Sequence, residues 1–452
     1  MKVSHRCGRR RLWAAAAVVS VASLLLGACG GASGAGNSGD RGVKSDPDAV
    51  DAALKAGGTI TYWTWTNAEP QVKAFEKEYP NVHVKLVNAG TGDVHYTKLQ
   101  NALKAGSGAP DVAQIEYFAL PQFALPGYLV DLRQYGFDKF ANDYLPSAWE
   151  SAHGGTDGLY ALPQGGGPMT LFYNKKVFDK YHLAVPKTWD EYVADAKQLH
   201  QADPTKYITA DTGDAGFTMA MIWQAGGRPY KVDGKKITVN FGDEGTKKFT
   251  SMWNQLLDGG LLAPYAGWSE EWFKALDNGT IATLPAGGWM AGVIEGLKAT
   301  KGDWRAAPVP TYDGGQPISS EHGGSHEAVL KQSKNPALAA GFLRWLNHEN
   351  GNKVYIELGG LPATVADIQS PDFLNHKWAA FAGQEVNKVV VDAANAVAPG
   401  WQFLPYQTYA NSIFGDTVGK AYQSKGDIGT GLKGWQDALV TYGKQQGFDV
   451  TG

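Results

Sequence analysis

Cysteine is almost absent from this 452-residue chain, with Cys7 and Cys29 its only two. Both lie near the start, so the rest of the chain has no disulfide, and a chain of this length buries enough core to do without one. Net charge is also low, a formal −3. Setting aside the five positive charges of the leader (Lys2, Arg6, Arg9, Arg10 and Arg11) leaves about −8, a poor match for nucleic acid or an anionic membrane surface. Nucleophile, zinc and phosphate-loop motifs are missing: there is no G-x-S-x-G, no H-E-x-x-H and no G-x-x-x-x-G-K-[ST]. His326-Glu327 lacks its second His, and the ten histidines are dispersed, so neither metal nor cofactor is expected. No segment after the leader is long and apolar enough to span a bilayer, and no fixed-period repeat suggests a solenoid or propeller.

What the chain does have begins at its start. A basic stretch precedes an apolar or small run from 12 to 26, which ends in Leu26-Gly27-Ala28-Cys29. Charged, apolar and small-residue regions in that order make an export signal. Ending on cysteine resembles the lipobox of bacterial lipoproteins, which implies lipidation of Cys29. A short transmembrane helix or an ordinary cleaved signal are the alternatives, and Arg9-Arg10-Arg11 also raises twin-arginine export. The Gly/Ser-rich residues that follow read as a flexible tether over 29–56, after a signal at 1–28.

Order is expected from Gly57. Residues 59–65 are β-branched and aromatic, 69–79 have helical spacing, and 82–87 alternate. A helix at 96–105 and a strand at 110–115 complete a β-α-β-α-β series, which implies parallel strands with right-handed crossovers. A strand follows at 171–173, and Thr188 with Glu191 forms a capping box. Helical stretches recur near 217–224, 245–257, 268–277, 337–347 and 431–444, with strand-like pieces at 281–284 and 328–330. Fifteen tryptophans are many for such a chain. Most are expected in the core, but aromatic faces also suit the apolar C–H faces of sugar rings.

Tyr173-Asn174-Lys175, Phe178, Leu183 and Pro186-Lys187-Thr188-Trp189-Asp190-Glu191 resemble a signature of bacterial extracellular solute-binding proteins, the maltose-binding-protein-like receptors of ABC importers. Phe75-Glu76-Lys77-Glu78-Tyr79-Pro80, Gly108-Ala109-Pro110-Asp111-Val112, Gly226-Gly227, Gly279-Thr280-Ile281-Ala282 and Gly288-Trp289 follow in the family's order. His182 departs from it, standing where a glycine is usual, and should alter only a turn. The resemblance implies an α/β, class II periplasmic-binding-protein-like fold: two α/β lobes with a ligand cleft at the hinge. It divides the chain into lobe 1 (57–163 and 308–361) and lobe 2 (164–307 and 362–452), with crossovers near 161–167, 308–311 and 361–362.

Ligands of open α/β sheets bind beyond the carboxyl ends of the strands. That rule selects Trp65 and Asn67 after the first strand, and Glu116 and Tyr117 after the third, as stacking and hydrogen-bonding groups. A core Trp, a turn Asn and a solvated loop are the alternatives. Three consecutive glycines ending at Gly167 permit either close approach to a ligand or unusual hinge dihedrals. The resemblance implies a ligand carboxylate at Asp214, which otherwise reads as an N-cap, a stacking aromatic at Trp289, and a late aromatic at Trp401. Gly324 lies in the Gly-rich run Glu321-His322-Gly323-Gly324-Ser325. Trp223, Trp268 and Trp272 have helical positions that favour core.

The expected function is non-enzymatic. A monomer, held outside the cell by lipid on Cys29, captures a carbohydrate, closes, and presents it to ABC permease subunits. Trp289 stacks from one lobe, while Glu116 and Asn67 hydrogen-bond from the other. A secreted glycoside hydrolase, a receptor for a non-sugar solute and an adhesive surface lipoprotein are the rival readings.

Overall fold

The computed structural model describes residues Ser45–Gly452; Cys29, the signal and most of the expected tether lie outside the described residues. Among the described residues, no helix is long and apolar enough to cross a membrane.

The tether reading ends too late. Residues Asp48–Ala56 are a helix, with Val50 and Leu54 buried. Their i, i+4 spacing makes one apolar stripe, with Asp48 and Asp51 at the N-terminal turn and Lys55 at the last. The stripe packs on helix Pro336–His348, where Gly341 makes room for Leu54. Arg344 anchors the contact through a 2.7 Å ion pair to Asp51.

Seven strands form the central sheet: β1 (Gly58–Trp63), β2 (Val82–Val87), β3 (Val112–Glu116), β4 (Leu162–Asn174), β5 (Thr283–Gly287), β6 (Trp304–Pro308) and β7 (Glu321–Val329). Their order is β6-β4-β7-β3-β1-β2, with β5 also paired to β4. β1 is parallel to β2 and β3, as the β-α-β-α-β reading expects. β7 lies antiparallel between β3 and β4.

β4 is far longer than the short strand expected at 171–173. Its first part pairs with β7, from Leu162 to Pro168. From Met169 onward it pairs with β5, and from Thr170 also with β6. One strand thus runs between two packing regions. In one core, Tyr62, Phe75, Phe342 and Trp345 pack together; in the other, Trp189, Phe217, Trp253 and Trp435 do. Leu284, Met290 and Ile294 belong to the same contact-continuous core as Ile60.

Thr188 and Glu191 form the expected capping box at the start of helix Trp189–Ala202. His182 adopts φ +55°. That left-handed value explains why glycine is usual there, and histidine is among the residues that tolerate it.

Candidate functional site

Residues 322–325 of β7 organise the site. Ser325 sits opposite Glu116 in the ladder with β3, and the Tyr117 N–H donates to the Gly324 carbonyl at 3.0 Å. The pairing with β4 shifts register between Glu321 and Gly324. Gly323 and Gly324 take φ +87° and +117°, values closed to most side chains. A Cβ on Gly324 would also come within 2.6 Å of the Tyr117 ring, and one on Gly323 within 3.0 Å of the Trp289 indole nitrogen.

Around this bend the predicted residues fall into three groups. Tyr117, Gly324 and Trp401 line one small recess, together with Trp223, Phe403 and Glu321. The recess opens into a cavity of about 950 Å³, which shares Tyr117, Trp223, Trp401 and Phe403 with it. Trp223 and Trp401 are stacked, 4.9 Å apart and 5° from parallel. Trp223 is 5 % exposed, so the expectation of burial holds while the ring also walls the cavity. Its indole N–H donates to the Ala398 carbonyl at 2.6 Å. The Trp401 indole nitrogen and the Tyr117 hydroxyl are buried with no partner. Buried polar groups ordinarily find one, which sets these two apart among the residues that line the cavity.

Asp214, His322 and Trp289 form the second group. The Asp214 carboxylate caps helix Ala215–Gln224 by accepting from the Phe217 N–H at 2.6 Å, as the N-cap alternative predicts. It also lies 3.9 Å from His322. Burial holds the His322 imidazole below the usual histidine range, against the pull of the Asp214 charge. The Trp289 indole N–H donates to the His322 carbonyl at 2.8 Å. Trp268 stacks on Trp289 at 5.9 Å and 19°. Trp268 is 58 % exposed at φ +68°, contrary to the expectation of a core residue, whereas Trp272 is buried.

Trp65 and Glu116 form the third, linked through Tyr96. The Tyr96 hydroxyl donates to Glu116 at 2.9 Å, and its ring meets Trp65 edge-on. Asn67 is exposed at the end of β1. None of these three lines the cavity or the recess.

Gly167 lies behind the recess. Its N–H donates to Glu321 at 2.5 Å, and a Cβ there would come within 2.2 Å of the His322 carbonyl. Gly165 is equally close to the Leu361 carbonyl. These glycines serve close strand packing, with no positive φ at 165–167.

Glu321 heads the Gly-rich run from which only Gly324 was expected to meet a ligand. It is 6 % exposed, accepts from Gly167 N–H and, at 3.0 Å, from the Ser147 hydroxyl. Burial pushes its carboxyl up to about 7, against the pull of those two donors. Its place at the head of the Gly-rich run was the available signal. Glu327, further along β7, is also pushed up to about 7 by burial, but it faces the core, bound by Tyr62 at 2.8 Å and Asn347 at 2.5 Å. Among the described residues, no group of three or more His, Cys, Asp or Glu is placed to hold a metal.

The chain is 41 % identical to the ABC transporter associated binding protein from B. animalis subsp. lactis Bl-04, solved in complex with β-1,6-galactobiose. That match covers 87 % of this chain and 99 % of the other, with a TM-score of 0.80. The galacto-N-biose-/lacto-N-biose I-binding protein of Bifidobacterium longum, in complex with lacto-N-biose, is 28 % identical at TM-score 0.77, covering 88 % and 99 %. The arabinooligosaccharide-binding protein of Bacillus subtilis (strain 168) is 29 % identical over 72 % of this chain and 77 % of its own. These relatives are binding proteins, two of them solved with a sugar in place. Residues 61–353 match the model of the bacterial extracellular solute-binding proteins, the family to which this chain belongs.

Proposed function

We propose that this protein is the capture subunit of an ABC importer and that its ligand is a neutral oligosaccharide. The observation that carries the reading is the cavity of about 950 Å³, walled by the stacked Trp223–Trp401 pair and faced by two buried, unpartnered donors, Tyr117 and Trp401. An apolar aromatic wall with a few placed polar groups is the usual makeup of a small-molecule site, and this volume lies near the upper end of the roughly 300–1,000 Å³ range. The relatives' ligands, β-1,6-galactobiose and lacto-N-biose, support a sugar.

The lobes, 57–163 with 308–361 and 164–307 with 362–452, close by hinging where β4 and β7 cross. Ligand favours the closed form because both lobes touch it only there. Lipid on Cys29 holds the receptor on the outer face of the cell membrane, beside its permease, as a monomer. The hydrolase reading is weaker, because the relatives of this chain are binding proteins, whereas such enzymes work with a pair of carboxylates held across the scissile bond.

The test is calorimetric titration with β-1,6-galactobiose, lacto-N-biose and arabino-oligosaccharides, with tryptophan emission followed in parallel. Saturable binding with an emission change is expected. Absence of binding across the panel sinks the sugar assignment, and shortened products would replace it with the hydrolase.

A further inference from the structure

We propose that Glu321 is a ligand-binding carboxylate: in the recess below the Trp223–Trp401 wall it accepts hydrogen bonds from adjacent hydroxyls on the edge of one sugar ring. The inference rests on the sugar-capture reading and names a group that does the recognising. An ionised carboxylate has about four acceptor sites. Glu321 uses two, for the Gly167 N–H and the Ser147 hydroxyl, and lines the recess. The recess holds about 40 Å³. A water-sized group needs roughly 10–15 Å³ on the same measure, so two or three such groups fit but a whole ring does not. Hydroxyls therefore enter the recess while the ring lies in the larger cavity against Trp401. Tyr117 lines the same space, and its hydroxyl is buried without a partner.

Charges around Glu321 do not already neutralise it. No lysine or arginine lines the recess. On the helix that carries Ser147, Glu150 is exposed at the cavity rim. Tyr117 and, beside Gly165, Tyr355 are held well above the usual phenol range by burial. His322, next along β7, is held low by burial, with Asp214 facing it from helix Ala215–Gln224. Binding is therefore linked to a proton at Glu321. In the free protein burial puts its carboxyl at about 7. Hydroxyl donors favour the ionised form and lower that value, so binding near pH 6.5 releases a proton. Affinity rises with pH through 7 and levels off above it.

The experiment is titration of β-1,6-galactobiose, lacto-N-biose and arabinotriose at pH 6.5 and 8, in buffers of different ionisation enthalpy. Wild-type protein should release a fraction of a proton at pH 6.5 and almost none at pH 8. Glu321→Gln should lose that release and bind about 10- to 100-fold more weakly, the range for a hydrogen bond to a charged group. Ser147→Ala removes one donor, raises the free carboxyl further and should move the release to higher pH, which keeps the test decisive if Glu321→Gln fails to fold. Unchanged affinity and proton release in these variants would overturn the role of Glu321 while leaving sugar capture standing. No binding of any of the three sugars by wild-type protein would overturn both.

Discussion

At Tyr117, holding the fold and holding a ligand can be told apart by experiment. Its ring packs against Gly324 and lies tilted against His326, but its hydroxyl is buried without a partner. An unsatisfied buried hydroxyl costs about 1–3 kcal/mol. Tyr117→Phe should therefore leave the melting temperature of the free protein unchanged or raised, while lowering sugar affinity about tenfold. A melting curve beside a titration checks both, and a drop in melting temperature with affinity intact would make the hydroxyl structural. Trp401→Ala should behave differently. It removes the stack with Trp223 and part of a core, so both stability and binding should fall, stability by about 3–5 kcal/mol in a denaturant melt. Tyr117 stood out as a strand-end residue and Trp401 through the family resemblance, and both line the recess. Within the Gly-rich run Glu321 did not stand out from Gly324, because nothing in the local sequence records that Gly167 and Ser147, far away along the chain, converge on that carboxylate.

Among elements, helix Asp48–Ala56 and the contact between helices Leu120–Ala124 and Gln407–Ser412 carry consequences of their own. The helix buries Val50 and Leu54 against the core that contains β1. Leu54→Ala should destabilise the protein by about 2–5 kcal/mol, read as a lower denaturation midpoint with ligand affinity unchanged. The tether expectation extended the Gly/Ser-rich composition of 30–42 up to the first expected strand; the partner of this helix, Pro336–His348, lies nearly three hundred residues on. The extent of β4 was hidden for a similar reason. Gly165-Gly166-Gly167 looks like a loop by composition, yet pairing with β7 on one side keeps it extended. The Thr408 hydroxyl donates to Gln122, joining helix Gln407–Ser412 to helix Leu120–Ala124. In the proposed lobe division these helices belong to different lobes, so the bond would break on opening. Gln122→Ala should speed ligand release several-fold in stopped-flow fluorescence with little change in the association rate, since most affinity changes of this kind appear in dissociation.

For the whole molecule, buried acids set a pH signature. Glu321 and Glu327 both sit at about 7 in the fold, above the usual carboxylate range, because burial disfavours their charged forms. Raised folded values mean that stability is fully present below the unfolded pKa and is lost as pH rises through 7. Burial holds His95 at about 4 and His326 at about 3, and their effect has the opposite sign, complete by about pH 6.5. The ligand-free protein should therefore lose melting temperature between pH 6.5 and 7.5 and change little above 8, a trend readable by scanning calorimetry. At this scale most of the architecture was legible, because the β-α-β-α-β order and the ordered motifs are long-range patterns written in short segments. Cys29→Ala should release the receptor into the medium and lower uptake by cells, with affinity in solution unchanged.

The packed glycines of β4 bear on how such a receptor can change over generations. A methyl group at Gly165 or Gly167 would collide with the backbone of Leu361 or His322, and backbone cannot swing aside. The crossing is therefore closed to drift, and any lineage that acquires a new sugar must do so through the cavity rim. Exposed Glu150, Asp157 and Asp233 stand there, on both sides of the opening. Variation among relatives with different ligands should gather at those rim positions and leave the glycines untouched.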